Sequence, residues 1–140
     1  MENKASFDNL MDKIIDAFKA KYPNYYIGDY EDLNEGDGVN LPAMFVQLAN
    51  FDGAESLIKD FFRAACTFRV YVCESYKGQA KRKVRNAALD VAKFIQGNAW
   101  DDKNTFNNAR FTYASEDEFN EKITSSEVWL IEWEQQVYIK

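Results

Sequence analysis

The chain has 140 residues, 46% of them hydrophobic and 16% aromatic, with only six Gly and two Pro. That composition excludes a disordered, collagen-like or low-complexity protein and fits one domain spanning residues 1–140. Seventeen Lys and Arg against 23 Asp and Glu leave a net charge of −6, a field that opposes phosphate-driven nucleic-acid binding, and the absence of any His removes His-dependent triads and His-containing zinc sites.

From Ser6 to about Lys21, Phe7, Leu10, Met11, Ile14, Ile15 and Phe18 recur at three-and-four spacing, with Asp8, Asp12, Lys13, Asp16 and Lys19 on the remaining arc. This predicts an amphipathic helix. Ser6 is placed to cap its orphan amides, Asp8 suits the positive end of the dipole, and Pro23 stops the helix. The preceding Met1-Glu2-Asn3-Lys4 leads into no apolar segment, so no secretory signal is expected, and no run reaches the roughly 18–20 apolar residues of a membrane span.

Tyr25, Tyr26, Ile27 and Tyr30 suggest a short strand, and Glu31-Asp32-Leu33-Asn34-Glu35-Gly36-Asp37-Gly38 reads as an acidic exposed loop. Its glycines and last Glu are misplaced for an EF-hand calcium loop, which favours solvation over metal binding. After Leu41-Pro42 the period changes to two. Met44, Val46 and Leu48 share one face, Phe45, Gln47 and Ala49 the other, and Asp52-Gly53 is expected to turn the chain.

A second strand is predicted over Arg63–Glu74, with Ala64, Cys66, Phe68, Val70 and Val72 on one face and Ala65, Thr67, Arg69, Tyr71 and Cys73 on the other. The two strands are expected to pair antiparallel around an insertion at Glu55–Phe61. Cys66 and Cys73 would then sit roughly 23 Å apart on opposite faces, too far to bridge, as reduced packing residues that suit a cytosolic compartment.

Tyr76-Lys77-Gly78 breaks this strand, and Ala80, Val84, Ala87, Ala88, Val91 and Ile95 form the stripe of a helix over about Gln79–Gln96. Gly97 and Asn98 stop it, and Trp100 is expected to pack back over its end. After a polar loop at Asp101–Asn108, Ala109–Ala114 is a short strand with Phe111 and Tyr113 on one side, followed by the acidic connection Ser115–Glu121. The last strand, Glu127–Ile139, places Trp129, Ile131, Trp133, Val137 and Ile139 on its core face. Glu132, Glu134 and Gln136 take the other face, which Val128, Leu130 and Tyr138 make apolar only at its ends. The expected fold is α+β: a mostly antiparallel four- or five-stranded sheet with two helices on one face.

Three features bear on function. Lys77, Lys81, Arg82, Lys83 and Arg85 cluster at a helix start, where the macrodipole disfavours cations by about 0.3–1 kcal/mol each. Two readings stand: a solvated face relieved by carboxylates of the same chain, or an interface with the acidic loop of a neighbouring copy (Glu31, Asp32, Glu35, Asp37) or with Ser115–Glu121. Glu132 and Glu134, roughly 6.5–7 Å apart along a strand, have a spacing compatible with glycoside hydrolysis, though a regular strand leaves them in solvent. Phosphate-loop, dinucleotide and serine-hydrolase motifs do not occur. Trp129 and Trp133 read as core, with a role as interface anchors as the alternative.

The segment Phe68-Arg69-Val70-Tyr71-Val72, then Gly78-Gln79-Ala80-Lys81-Arg82-Lys83-Val84-Arg85-Asn86-Ala87-Ala88, then Phe94-Ile95-Gln96-Gly97, resembles the gp37 family of Mu-like phages. More loosely it is similar to phage tail terminator proteins of the lambda type. The opening helix, Leu41-Pro42-Ala43 and the Trp129–Ile139 strand fall in the matching order. The resemblance implies a structural protein that forms a ring, a hexamer, at the head-proximal end of a phage-like tail. It would stop tube polymerisation and dock to the head connector, after assembly in the bacterial host cytoplasm. It implies no catalytic residue, cofactor or metal; its partners would be copies of itself, the tail tube protein and the connector. The residues alone leave open an acidic binding module of the immunity or inhibitor type that neutralises a basic partner.

Overall fold

The computed structural model describes residues 6–34, 40–54, 62–75, 80–103, 105, 107–118, 120, 122–123 and 126–139. Helix α1 (Asp8–Lys21) leads to a short strand β1 (Tyr26–Asp29) and a 3₁₀ turn at Tyr30–Asp32. Strands β2 (Ala43–Ala54) and β3 (Phe62–Ser75), helix α2 (Ala80–Ile95), and strands β4 (Arg110–Glu116) and β5 (Ser126–Ile139) follow. The expected α+β class is the one found. All five strands form one sheet in the order β1-β2-β3-β5-β4, with only β1 and β2 parallel.

Both helices cover the same face. The stripe of α1 (Leu10, Met11, Ile14, Ile15, Phe18) and that of α2 (Val84, Ala88, Val91, Ala92, Ile95) meet Met44, Val46, Phe68, Val70, Val72, Ile131 and Trp133 in one buried cluster. At its centre the Trp133 indole stacks on Phe68 at 5.2 Å and lies 5.6 Å from Trp100. Each such side chain, fully buried, stabilises the fold by about 1.5–3 kcal/mol. Ser6 does meet the helix start, its Oγ accepting from the Asp8 N–H at 3.0 Å. Gly97 ends α2 at φ +84°, and Trp100 folds back to a buried position, as expected.

Two expectations need correction. Asp52-Gly53 does not turn the chain: both residues pair with β3, opposite Ala65 and Ala64, because the hairpin extends beyond them. Its insertion at Glu55–Phe61 lies outside the described residues. Phe111 and Tyr113 do not share a side, because a bulge shifts the register between them. Phe111 pairs with Trp133 and packs on the core, whereas Tyr113 pairs with Glu132 and is exposed; one extra residue reverses the alternation.

The face away from the helices carries a second, smaller buried cluster. Ala43, Phe45, Tyr71, Cys73, Ile123 and Val128 form it, with Tyr30, Leu33, Leu41 and Leu130 against them. The Tyr30 ring stacks on Tyr71 at 4.5 Å, so the 3₁₀ turn is held over the sheet near the β1 edge. Cys66 and Cys73 are free, buried and on opposite faces. Burial raises the Cys66 thiol to about 12 and also pushes the Cys73 thiol up, with Asp117 and Glu74 adding to the latter.

Candidate subunit interface

The basic helix start divides between two faces of α2. Lys83 reaches toward β3, with its Nζ 3.6 Å from the carboxylate of Glu74, which is 4% exposed. The Tyr25 hydroxyl donates to the same carboxylate at 2.6 Å. A buried carboxylate is costly unless it is paired and hydrogen-bonded, so Lys83 and Tyr25 jointly permit Glu74 at this position. Two turns further along α2, the Tyr22 hydroxyl donates to Asp90 Oδ2 at 2.7 Å. Burial first, and then these carboxylate bonds, push both phenols well above their ordinary value.

Lys81, Arg82 and Arg85 are exposed, and none forms an ion pair with a described residue. Lys77 lies outside the described residues. The intrachain reading of the cluster therefore holds for Lys83, while three cations remain open to solvent.

Arg85 sits at the mouth of an apolar groove of about 320 Å³ between α2 and the β4 edge. Asn86, Ala88, Leu89 and Ala92 line one wall, and Phe111, Ala114 and Trp129 the other. Leu89 is 58% exposed, the most exposed of the large apolar side chains in the described residues. Trp129 is half-buried at this wall, so it is neither wholly core nor wholly free. The sequence pointed to part of this site: Arg85 belongs to the basic cluster, Trp129 had an interface role as its alternative reading, and Leu89 falls off the apolar stripe, on the polar arc of α2. Phe111 carried no such signal.

The acidic residues lie at the opposite edge. Asp29 closes β1 and accepts from the Glu31 N–H at 2.9 Å, and Glu31 and Asp32 are exposed on the 3₁₀ turn. Burial raises the Asp29 carboxyl above its usual range, partly offset by the Glu31 N–H, while Asp32, Glu31 and Asp12 push it further up. Tyr26 opens the same strand three residues before Asp29, 55% exposed, its ring 6.0 Å from Phe45 on the face away from the helices. Glu35 and Asp37 lie outside the described residues. Within one chain, then, Glu31 and Asp32 are not brought to Lys81, Arg82 and Arg85, since β1 and β4 are the two edges of the sheet. The other acidic candidate, Ser115–Glu121, begins on β4 and reaches Asn120, whose Oδ1 accepts from the hydroxyl of Tyr30, on the face away from the helices, at 3.1 Å.

Glu132 and Glu134 share the outer face, but each is engaged by its own arginine: Arg69 Nε lies 3.0 Å from Glu132 Oε2, and Arg110 meets Glu134. A polar cavity of about 390 Å³ is bordered by Glu134 with Asp52, Thr67, Asn107, Arg110 and Gln136, but not by Glu132. The two carboxylates thus do not converge on one cleft. Among the described residues, no three His, Cys, Asp or Glu side chains are grouped to hold a metal, and no helix is long and apolar enough to cross a membrane.

No family model matches the sequence, and no curated protein matches it. Solved structures do match, among them a chain of the virion of a native gene transfer agent particle. The likeness covers 91% of this chain and 90% of that one, at a TM-score of 0.54 and 18% identity. At that identity the likeness is one of fold.

Proposed function

We propose that this protein is a structural component of a phage or phage-like virion, and specifically the tail terminator: a ring, hexameric, that caps the tail tube and docks to the head connector. The observation that carries the reading is the fold likeness to a virion chain over nearly the full length of both. Two further features support it. A closed ring requires a heterologous contact, in which one patch meets a different patch on the next copy. This sheet presents different chemistry at its two edges, an apolar groove bordered by Arg85 at one and the exposed Glu31 and Asp32 next to the other. In this reading the protein acts by presenting surfaces to copies of itself, to the tube protein and to the connector, in the virion tail and without catalysis.

The test is reconstitution. Purified protein is followed by sedimentation velocity across concentration and salt, then added to polymerising tube protein and examined by negative-stain microscopy. A ring-sized species, or tubes capped at one end and shortened, is the expected result. A monomer under all conditions that leaves tube growth unchanged refutes the proposal. Stoichiometric one-to-one capture of a basic partner by that monomer would favour the acidic binding module instead.

A further inference from the structure

The proposed assembly leaves undetermined which surfaces join successive copies. We infer that the groove between α2 and β4 of one copy receives the β1 edge of the next, with Tyr26 seated against Leu89, Phe111 and Trp129 and with Glu31 and Asp32 facing Arg82 and Arg85. This assignment rests on the assembly reading above.

Three observations lead to it. First, the chemistry matches on both counts. The groove is apolar, with Arg85 at its mouth and Arg82 one helical turn back, and neither arginine is paired to a described residue. The β1 edge presents a half-exposed aromatic ring, with exposed carboxylates on the turn that follows the strand. Tyrosine and arginine are the residue types that dominate interface energetics, and complementary charge fixes register.

Second, the patches sit at one height on the sheet. Ile27 pairs with Met44, Met44 with Val72, Val72 with Trp129, and Trp129 with Glu116, so a single row crosses all five strands. Tyr26 is one residue, about 3.4 Å, from the row that carries Trp129. Patches level with each other let a repeated contact close without a rise, whereas an offset would generate a helical filament.

Third, the patches occupy opposite faces. Tyr26 packs on Phe45, away from the helices, whereas the groove is on the helix side of the β4 edge. Copies that overlap like the blades of an iris must bring the outer face of one edge against the inner face of the other. The two halves of the contact are disposed in that way.

Cross-linking tests the contact directly. The wild-type cysteines are buried, so Tyr26→Cys combined with Leu89→Cys adds the reactive thiols without removing native ones. Under mild oxidation the double variant is expected to give a ladder of covalent oligomers, while each single variant stays monomeric on a non-reducing gel. Two charge reversals form the second arm, with circular dichroism as the check on folding. Arg82→Glu with Arg85→Glu, and separately Glu31→Arg with Asp32→Arg, should each weaken self-association by about 30-fold or more. Combining all four changes should restore most of the loss.

A wild-type protein that assembles while the double-cysteine variant forms no ladder and both reversals leave association unchanged overturns this interface and leaves the assembly reading standing. A wild-type protein that never associates, alone or with tube protein, overturns both. A covalent dimer from the Leu89→Cys variant alone would show a symmetric groove-to-groove contact and also refute the assignment.

Discussion

Gln135 is the side chain that ties the α2–β4 connection to the sheet, and replacing it tests the account of how the groove wall is held. It is 2% exposed on β5. Its Oε1 accepts from Trp100 Nε1 at 2.7 Å, and its Nε2 donates to the carbonyls of Asn98 at 3.2 Å and Asn107 at 3.0 Å. Gln135→Leu keeps the volume and removes all three bonds, but the consequences differ. Asn98 O still accepts from the Ala109 N–H at 2.8 Å, and Asn107 is exposed, so water replaces its lost donor. Trp100, 3% exposed, is left with an unpaired indole N–H. That orphan costs about 1–3 kcal/mol, and the two partly compensated bonds add about 1 kcal/mol together. The expected loss is about 2–4 kcal/mol, or about 6–15 °C in Tm for a chain of this length.

The discriminating measurement is a double-mutant cycle by urea unfolding, monitored by far-UV circular dichroism. Trp100→Phe alone strands the Gln135 carbonyl oxygen instead. The double variant strands neither, so its cost should fall short of the sum by about 1–3 kcal/mol. Costs that add to within about 0.5 kcal/mol would show that the indole–amide bond is not what holds this connection.

Two further outcomes follow from local chemistry. Gly97→Ala should cost about 1–2 kcal/mol in the same assay, because the added Cβ meets no atom within 4 Å and the penalty arises only from φ +84°; Gly97→Asn should cost less, and equal stability of all three would contradict the positive-φ stop. Stability should also decline in alkali. Cys66, Cys73, Tyr22 and Tyr25 all hold their protons more tightly in the folded state, so their contribution is complete below the unfolded values, about 8.5 for Cys and 10 for Tyr, and is lost as pH rises beyond them. The urea midpoint should be flat from pH 6 to 8 and fall above about pH 8.5. Tyr25→Phe should flatten the portion above pH 10, and an unchanged midpoint at pH 10.5 would refute the linkage.

Much of the architecture was legible in the residue pattern. The six-residue stripe of α1, the alternation of β3 and β5, and Gly97 as a helix stop are signals set by neighbours within a few positions, and local geometry obeyed them. Two local expectations failed. A bulge reversed Tyr113, and Asp52-Gly53, a turn dipeptide in isolation, was absorbed into a hairpin whose partner strand extends past it. Both outcomes depend on what the paired strand offers, which periodicity along a single strand does not encode.

The candidate interface divides along the same line. Charge, composition and the unusual run of cations at a helix start came from the chain alone. Which of those cations is structural was decided by β3 delivering buried Glu74 to Lys83, a contact between residues nine positions apart on different elements. The groove is assembled from α2, β4 and β5, and its separation from the acidic turn after β1 follows from the strand order β1-β2-β3-β5-β4. Short-range periodicity specifies the face a residue presents. Only the packing of distant segments, driven by burial of the shared core, determines what that face meets.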